Sequence, residues 1–124
     1  MSSMETVNLS QKFSKINEHW HPYIVSELNE NYVKLAKVQG EFVWHKHDDE
    51  DELFIIQKGT LILDFRDKSV EVTAGEIFTV PKGVEHRPRT KNGEEVHLML
   101  IEPKETKHTG DVVTEKTVTN LEWI

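Results

Sequence analysis

Leu9, Phe13 and Ile16 recur at helical spacing near the start of the chain. After Tyr23 that spacing gives way to short apolar runs closed by Gly, Pro, Asn or Asp. The first pattern predicts a helix over residues 8–18, capped by Asn8 or Ser10 and broken at His19-Trp20-His21-Pro22, because a residue before proline is pushed out of the helical region. The second predicts strands over 22–28, 32–38, 42–47, 53–58, 61–66, 69–72, 77–80 and 96–101. Turns fall at Asn29–Asn31, Gly40, Asp48–Asp51, Gly59, Asp67–Lys68, Gly75, Pro81–Gly83 and Lys91–Gly93. Many short strands with regular turn signals and no helices between them predict an antiparallel all-β sandwich or barrel rather than a parallel βαβ fold. The organisation expected is a helical extension over 1–22, a β-barrel over 23–103 and a tail over 104–124. The tail is polar until Leu121-Glu-Trp123-Ile124. Three apolar residues at a free end find cover on the barrel or on a partner subunit.

Composition narrows the function classes. At 124 residues the chain suffices for one domain with one core. The formal net charge of −7 argues against nucleic acid and against an anionic membrane as partners, since both reward positive charge. No apolar run approaches the roughly 20 residues needed to span a bilayer. The start, Met1-Ser-Ser-Met-Glu-Thr-Val, lacks the layout of a signal peptide, and there is no cysteine for a disulfide or a thiolate site. A cytoplasmic location is the expectation.

The candidate chemistry lies in two punctuated blocks. The first runs from Gly40 through Trp44-His45-Lys46-His47 and the acidic run Asp48–Glu52 to Gly59; the second runs from Gly75 through Pro81-Lys-Gly83 to His86. On a strand His45 and His47 point to one face, roughly 7 Å apart along the backbone, together with Val43. Glu52 is at an odd offset from His47, so an uninterrupted strand would turn it away. The run Asp48–Asp51, read as a solvated turn, reverses the chain and returns Glu52 to the same side, with Phe54 and Ile56 behind it. The Pro81–Gly83 bend, with one dihedral fixed by proline and a positive one open to glycine, delivers His86 from afar. Three imidazoles and a carboxylate can occupy most of the coordination sphere of one divalent metal.

These blocks resemble the two signature motifs of the cupin superfamily. The first motif is Gly, five residues, His-x-His, three or four residues, Glu, six residues, Gly; here four residues rather than five separate Gly40 from His45, and the rest fits through Gly59. The second is Gly, five residues, Pro-x-Gly, two residues, His, three residues, Asn; Gly75, Pro81, Gly83 and His86 match, and Thr90 stands where the family often has Asn. The resemblance covers residues 40–90, and the strand pattern extends it to about residue 101. It implies a cupin-type jelly-roll β-barrel, small and single-domain, with a short N-terminal helix and a C-terminal tail added. It implies one metal held by His45, His47, Glu52 and His86, and a homodimer with Trp44 or Phe42 as outward contacts. Packing under the N-terminal segment is the other reading of those two aromatics.

With three nitrogens, one oxygen and no sulfur, the site admits Mn, Fe, Co, Ni, Cu or Zn. A six-coordinate ion would keep two positions open for a small-molecule ligand or substrate, water or dioxygen. The function expected is therefore metal-assisted chemistry of isomerase or dioxygenase type on a small polar or anionic molecule. The alternatives are a non-catalytic metal- and small-ligand-binding module and a barrel that has lost its metal. Whether the chain is an enzyme stays open, because no acid–base residue stands out beside the ligands. His97 alternates with Val96, Leu98 and Leu100 and is expected on the outer side of its strand. Arg87 and Arg89 read as solvated edge residues or an anion site, and His19, His21 and His108 as surface residues.

Overall fold

The computed structural model describes residues 4–111 and 121–124. Its elements in chain order are α1 (Leu9–Ser14), β1 (Tyr23–Leu28), β2 (Asn31–Val38), β3 (Glu52–Lys58), β4 (Thr60–Asp64), β5 (Ser69–Thr73), β6 (Ile77–Val80), β7 (Arg87–Thr90), a 3-10 turn (Lys91–Gly93) and β8 (Val96–Pro103). The strands form two antiparallel sheets, one in the order β1-β2-β8-β3-β6 and one in the order β5-β4-β7.

Alternation builds the core between the sheets. Ala36 and Val38 on β2, Phe54 and Ile56 on β3, and Val96, Leu98 and Leu100 on β8 face Leu61 and Leu63 on β4, Val72 on β5 and Val80 on β6. The odd positions of the same strands serve another purpose. Leu35 on β2 joins Tyr23 and Val25 of β1 in a second cluster outside the barrel, covered by Phe13 and Ile16. Each fully buried aliphatic side chain here contributes about 1.5–3 kcal/mol. His97 belongs to this outer side, where it stacks on Phe13 at 4.7 Å and bonds Glu95 at 3.0 Å.

The helix is shorter than the spacing predicts. Asn8 caps it by accepting from the Gln11 N–H, but Lys15 and Ile16 donate to carbonyls three residues back, so the last turn tightens and stops before residue 18. Residues 42–47 also depart from expectation: they are not a regular strand. Isolated bridges join Glu41 to Arg89 and His45 to His86, so the segment runs as an irregular ribbon along the free edge of β7. The irregularity brings Phe42 and His45 to the same side despite their odd offset, and Phe42 is buried rather than outward.

Strand β7 itself has no counterpart in the hydrophobic pattern, because Arg87-Pro88-Arg89-Thr90 carries no apolar alternation and Pro88 speaks against a strand. Proline is accommodated at Leu63↔Pro88, and its carbonyl accepts from the Phe42 N–H at 2.8 Å. After β8 the chain folds back across the ribbon, where the Asp111 N–H reaches the Lys46 carbonyl at 3.1 Å. Residues 122–124 pair along β1 of the same chain, with Ile24 donating to Glu122 at 2.8 Å and Ile124 donating to Ile24 at 3.1 Å. The intervening tail lies outside the described residues.

Candidate metal centre

The ribbon and β7 together place two of the histidines. The His45 N–H donates to the His86 carbonyl at 3.0 Å and the His86 N–H returns to His45 at 2.9 Å. In an antiparallel pair that exchanges both bonds, the side chains leave on the same face. The two rings lie 4.4 Å apart, centre to centre. Gly83, with φ +79°, closes the bend before His86 and donates to the His47 carbonyl at 2.7 Å, which ties the two sequence blocks together at a second point. Glu52 enters as the first residue of β3, paired with Val80 and facing inward with Phe54 and Ile56.

All four side chains are buried, and one potential ligand atom from each lies within 4.8 Å of the others. Glu52 Oε1 stands 3.3 Å from His86 Nε2 and 3.4 Å from His47 Nε2. His45 Nδ1 lies 2.8 Å from the Val43 carbonyl and His86 Nδ1 lies 3.0 Å from the Val84 carbonyl. A carbonyl only accepts, so both rings carry their proton on Nδ1 when neutral and present the Nε2 lone pair to the centre. This is the outer hydrogen bond that fixes tautomer and orientation in metal-binding histidines. His47 differs, because its buried Nδ1 has no hydrogen-bond partner and its Nε2 meets only the Glu52 carboxylate, at 3.4 Å. Such an orphan costs about 1–3 kcal/mol unless an ion completes it.

The electrostatics suit a cation. Burial pulls His45 down to about 4, and nearby His86 adds to the effect, so His45 keeps its lone pair at neutral pH. Burial pulls His47 in the same direction, but Glu52 overrides it and the ring titrates above its ordinary value. Burial alone would raise Glu52. The hydrogen bonds and positive character of His47 and His86 instead hold it well below the usual carboxylate range.

The interior residues match a known family over most of the barrel: the cupin domain model fits residues 31–102. The chain belongs to the cupin family. Among curated relatives of this cupin, an uncharacterized protein of Bacillus subtilis (strain 168), YdbB, is 41% identical over 91 residues, covering 73% of this chain and 79% of that protein. Among solved structures, a cupin-2 domain containing protein from Shewanella frigidimarina is 50% identical, with a TM-score of 0.76 over 79% of this chain and 94% of that one. The protein NMB1881 from Neisseria meningitidis is 37% identical, with a TM-score of 0.72 over 81% of this chain and all (100%) of that one.

The other candidates from the sequence fall elsewhere in this cupin. Arg87 and Arg89 are half-buried, and both donate to the buried Asp64 carboxylate, at 2.8 and 2.7 Å. Trp44 lies under the Arg66 guanidinium, 3.8 Å from the ring centre. His19 pairs with Glu95 at 2.8 Å on the surface, and His21 stacks on Tyr23 at 4.4 Å. His108 is not on the surface but 8% exposed, because Asp111 anchors its segment on Lys46, donating to its carbonyl at 3.1 Å and accepting from its N–H at 3.2 Å. Phe42 stacks on Trp20 from the N-terminal segment at 4.6 Å, in keeping with the packing reading of that aromatic.

Trp20, Phe42 and His108 help line a cavity of about 40 Å³ beside His45 and Glu52, large enough for roughly two or three water-sized groups. His45, Glu52 and His108 supply its polar atoms, while Trp20, Phe42, Phe54, Leu98 and Leu100 make the walls almost wholly apolar. Two further buried groups escaped notice in the sequence. Lys34 and Glu102 face the barrel interior in step with Ala36, Val38 and with Val96, Leu98, Leu100. Strand alternation was the signal that could have found them.

Proposed function

We propose that this cupin holds one divalent metal ion through His45, His47, Glu52 and His86 and acts with it on a small molecule. That molecule carries a polar, metal-chelating head and a short apolar body. The reading rests chiefly on His47, a buried ring whose Nδ1 has no partner and whose Nε2 meets only the Glu52 carboxylate, 3.4 Å away. The nitrogen and oxygen donors suit a borderline first-row ion, and the absence of sulfur leaves Mn, Fe, Co, Ni, Cu and Zn as candidates. A bound ion would supply Lewis-acid polarisation or a redox centre, in isomerase- or dioxygenase-type chemistry.

The chain's own residues would do the rest. His45 and His86 aim their Nε2 atoms inward through their carbonyl contacts, and Glu52 supplies the anionic charge. Trp20, Phe42 and Leu98 exclude water from the space a substrate head would occupy, which strengthens every electrostatic interaction there. The small volume of the cavity supports a second reading, a non-catalytic module that holds a metal with a small ligand.

Metal analysis of protein purified without chelators tests the site. One ion per chain, lost in His47→Ala, is the expected result; substoichiometric metal that His47→Ala leaves unaltered would overturn it. Turnover of keto acids, sugar phosphates and catechols, abolished by a chelator and restored by one metal, separates the enzyme from the module.

A further inference from the structure

Inside the barrel, a second charged pair stands one strand away from the proposed ligands. The register that sets Leu53 against Ile101 brings Glu52 of β3 beside Glu102 of β8, and the β2–β8 register sets Lys34 diagonal to Glu102. Lys34 Nζ lies 2.8 Å from Glu102 Oε1, and both side chains are 0% exposed. Glu102 Oε2 is buried with no hydrogen-bond partner. Burial, with the nearby Glu52 adding to the effect, pushes the Glu102 carboxyl up to about 8.

Stability does not account for such a pair. Removing two charges from water costs several kcal/mol per ion, and hydrophobic replacements of similar volume are often neutral or stabilising. The neighbouring interior positions, Ala36, Leu98 and Leu100, show that this face is otherwise apolar. The pair therefore needs another explanation, and its nearest neighbours supply one. The carboxylate at the Glu52 end of the row has a second carboxyl group as its neighbour on β8, and that neighbour is anchored by a lysine too buried to turn elsewhere.

We propose that Glu102 is a positioning residue for Glu52, held in place by Lys34, and that the pair sets the affinity of the centre for its metal. This rests on the metal-binding reading above. Outer partners of metal ligands typically change affinity by roughly 10–100-fold when removed. The chemistry is that of an outer shell: Glu102 limits the directions open to the Glu52 carboxylate, and Lys34 fixes Glu102 in place.

The test is Co²⁺ titration followed by the visible absorption bands of the bound ion, on the native chain, Glu102→Gln, Glu102→Met and the double variant Lys34→Met with Glu102→Met. Glu102→Gln keeps the shape and a polar end that can still meet Lys34 and Glu52. The double variant avoids leaving an uncompensated lysine in the core. The expected result is a melting temperature in the double variant equal to or above the native one, with Co²⁺ affinity lowered roughly 10–100-fold and an altered spectrum, and near-native affinity in Glu102→Gln. Native affinity and spectrum in the folded double variant would overturn the proposal. So would failure of the double variant to fold, which would assign the pair to the barrel rather than to the metal. If the native chain itself binds no Co²⁺, the metal-binding reading falls instead, and the two failures are distinguishable.

Discussion

The backbones of His45 and His86 exchange two hydrogen bonds, at 3.0 and 2.9 Å, and their imidazoles lie 4.4 Å apart on the face this pairing dictates. Each ring is further held by a carbonyl two residues back on its own segment, Val43 for one and Val84 for the other. Two of the four donors are thus oriented by main-chain pairing. The fold alone brings them together, so the candidate centre is preorganised, and an ion would not have to spend binding energy on ordering it.

His86→Ala removes one donor while leaving that main-chain pairing available. The variant is expected to fold, with a loss of metal affinity exceeding the roughly 10–100-fold typical of an outer-shell change. Thermal melts with and without added metal check this. A native chain at an ion concentration 100 times its Kd gains about 2.7 kcal/mol, and the variant should show almost no shift under the same conditions. An equal shift in both would remove His86 from the ligand set.

How far the sequence reads through to this site depends on which physical signal carries each part. Alternation in Phe54-Ile55-Ile56 and Val96–Leu100 is strong because one face is buried, so the barrel strands were legible. The four candidate ligands were legible because Gly and Pro punctuate the turns that deliver them. The ribbon 42–47 was legible as extended chain but not as an irregular one, and its irregularity is what turns Phe42 inward beside His45. β7 was hidden by Pro88 and two arginines, whose partner, Asp64, sits on another strand. Lys34 and Glu102 were hidden because charged residues are read as exposed unless their alternation is weighed against their chemistry.

Asp64 ties β4 to β7, the strand that follows His86, within the second sheet. It accepts from Arg89 at 2.7 Å, from Arg87 at 2.8 Å and from Ser69 at 2.6 Å. Burial pushes its carboxyl up, but these bonds overcome that and hold it below the usual range. A depressed folded-state value means the stabilisation is complete above the unfolded pKa, about 3.9, and is lost as pH falls below it toward the folded value. Asp64→Asn should therefore cost about 1–3 kcal/mol near pH 7, discounted for the partial exposure of both arginines. Denaturant melts across pH 2–7 should show the native and variant curves converging below roughly pH 4. A constant gap across that range would mean the carboxylate charge is not the cause.

Gly110 controls how closely the segment after β8 approaches the ribbon that carries His45 and His47. It has φ +59°, and a Cβ there would collide with the Lys46 carbonyl and come within 3.0 Å of His45 Cδ2. Gly110→Ala is expected to lift this segment, expose His108 and loosen His45. Faster amide exchange at Asp111, whose N–H bonds Lys46, together with weaker metal binding, checks it. Exchange as slow as in the native chain would show that the segment yields without leaving.

The apolar walls of the cavity make a quantitative statement about what would bind beside the proposed metal. In a homologous series of alkyl hydroxamates, the chelating head stays constant and the tail grows. Each added methylene that is buried contributes about 0.8 kcal/mol, close to fourfold in affinity. The cavity holds only about 40 Å³, so the gain should end after one or two methylenes. Phe42 sets that limit, because it stacks on Trp20 at the wall and meets His45 edge-on at 5.5 Å. Phe42→Leu keeps an apolar residue of smaller size and should cost about 1.5 kcal/mol or less in stability. Measured by calorimetry on the metal-loaded protein, it should move the affinity maximum to a longer tail while metal affinity stays unchanged. A series that weakens from the shortest tail onward, in both proteins, would mean that the ligand's body is polar and lies outside this cavity.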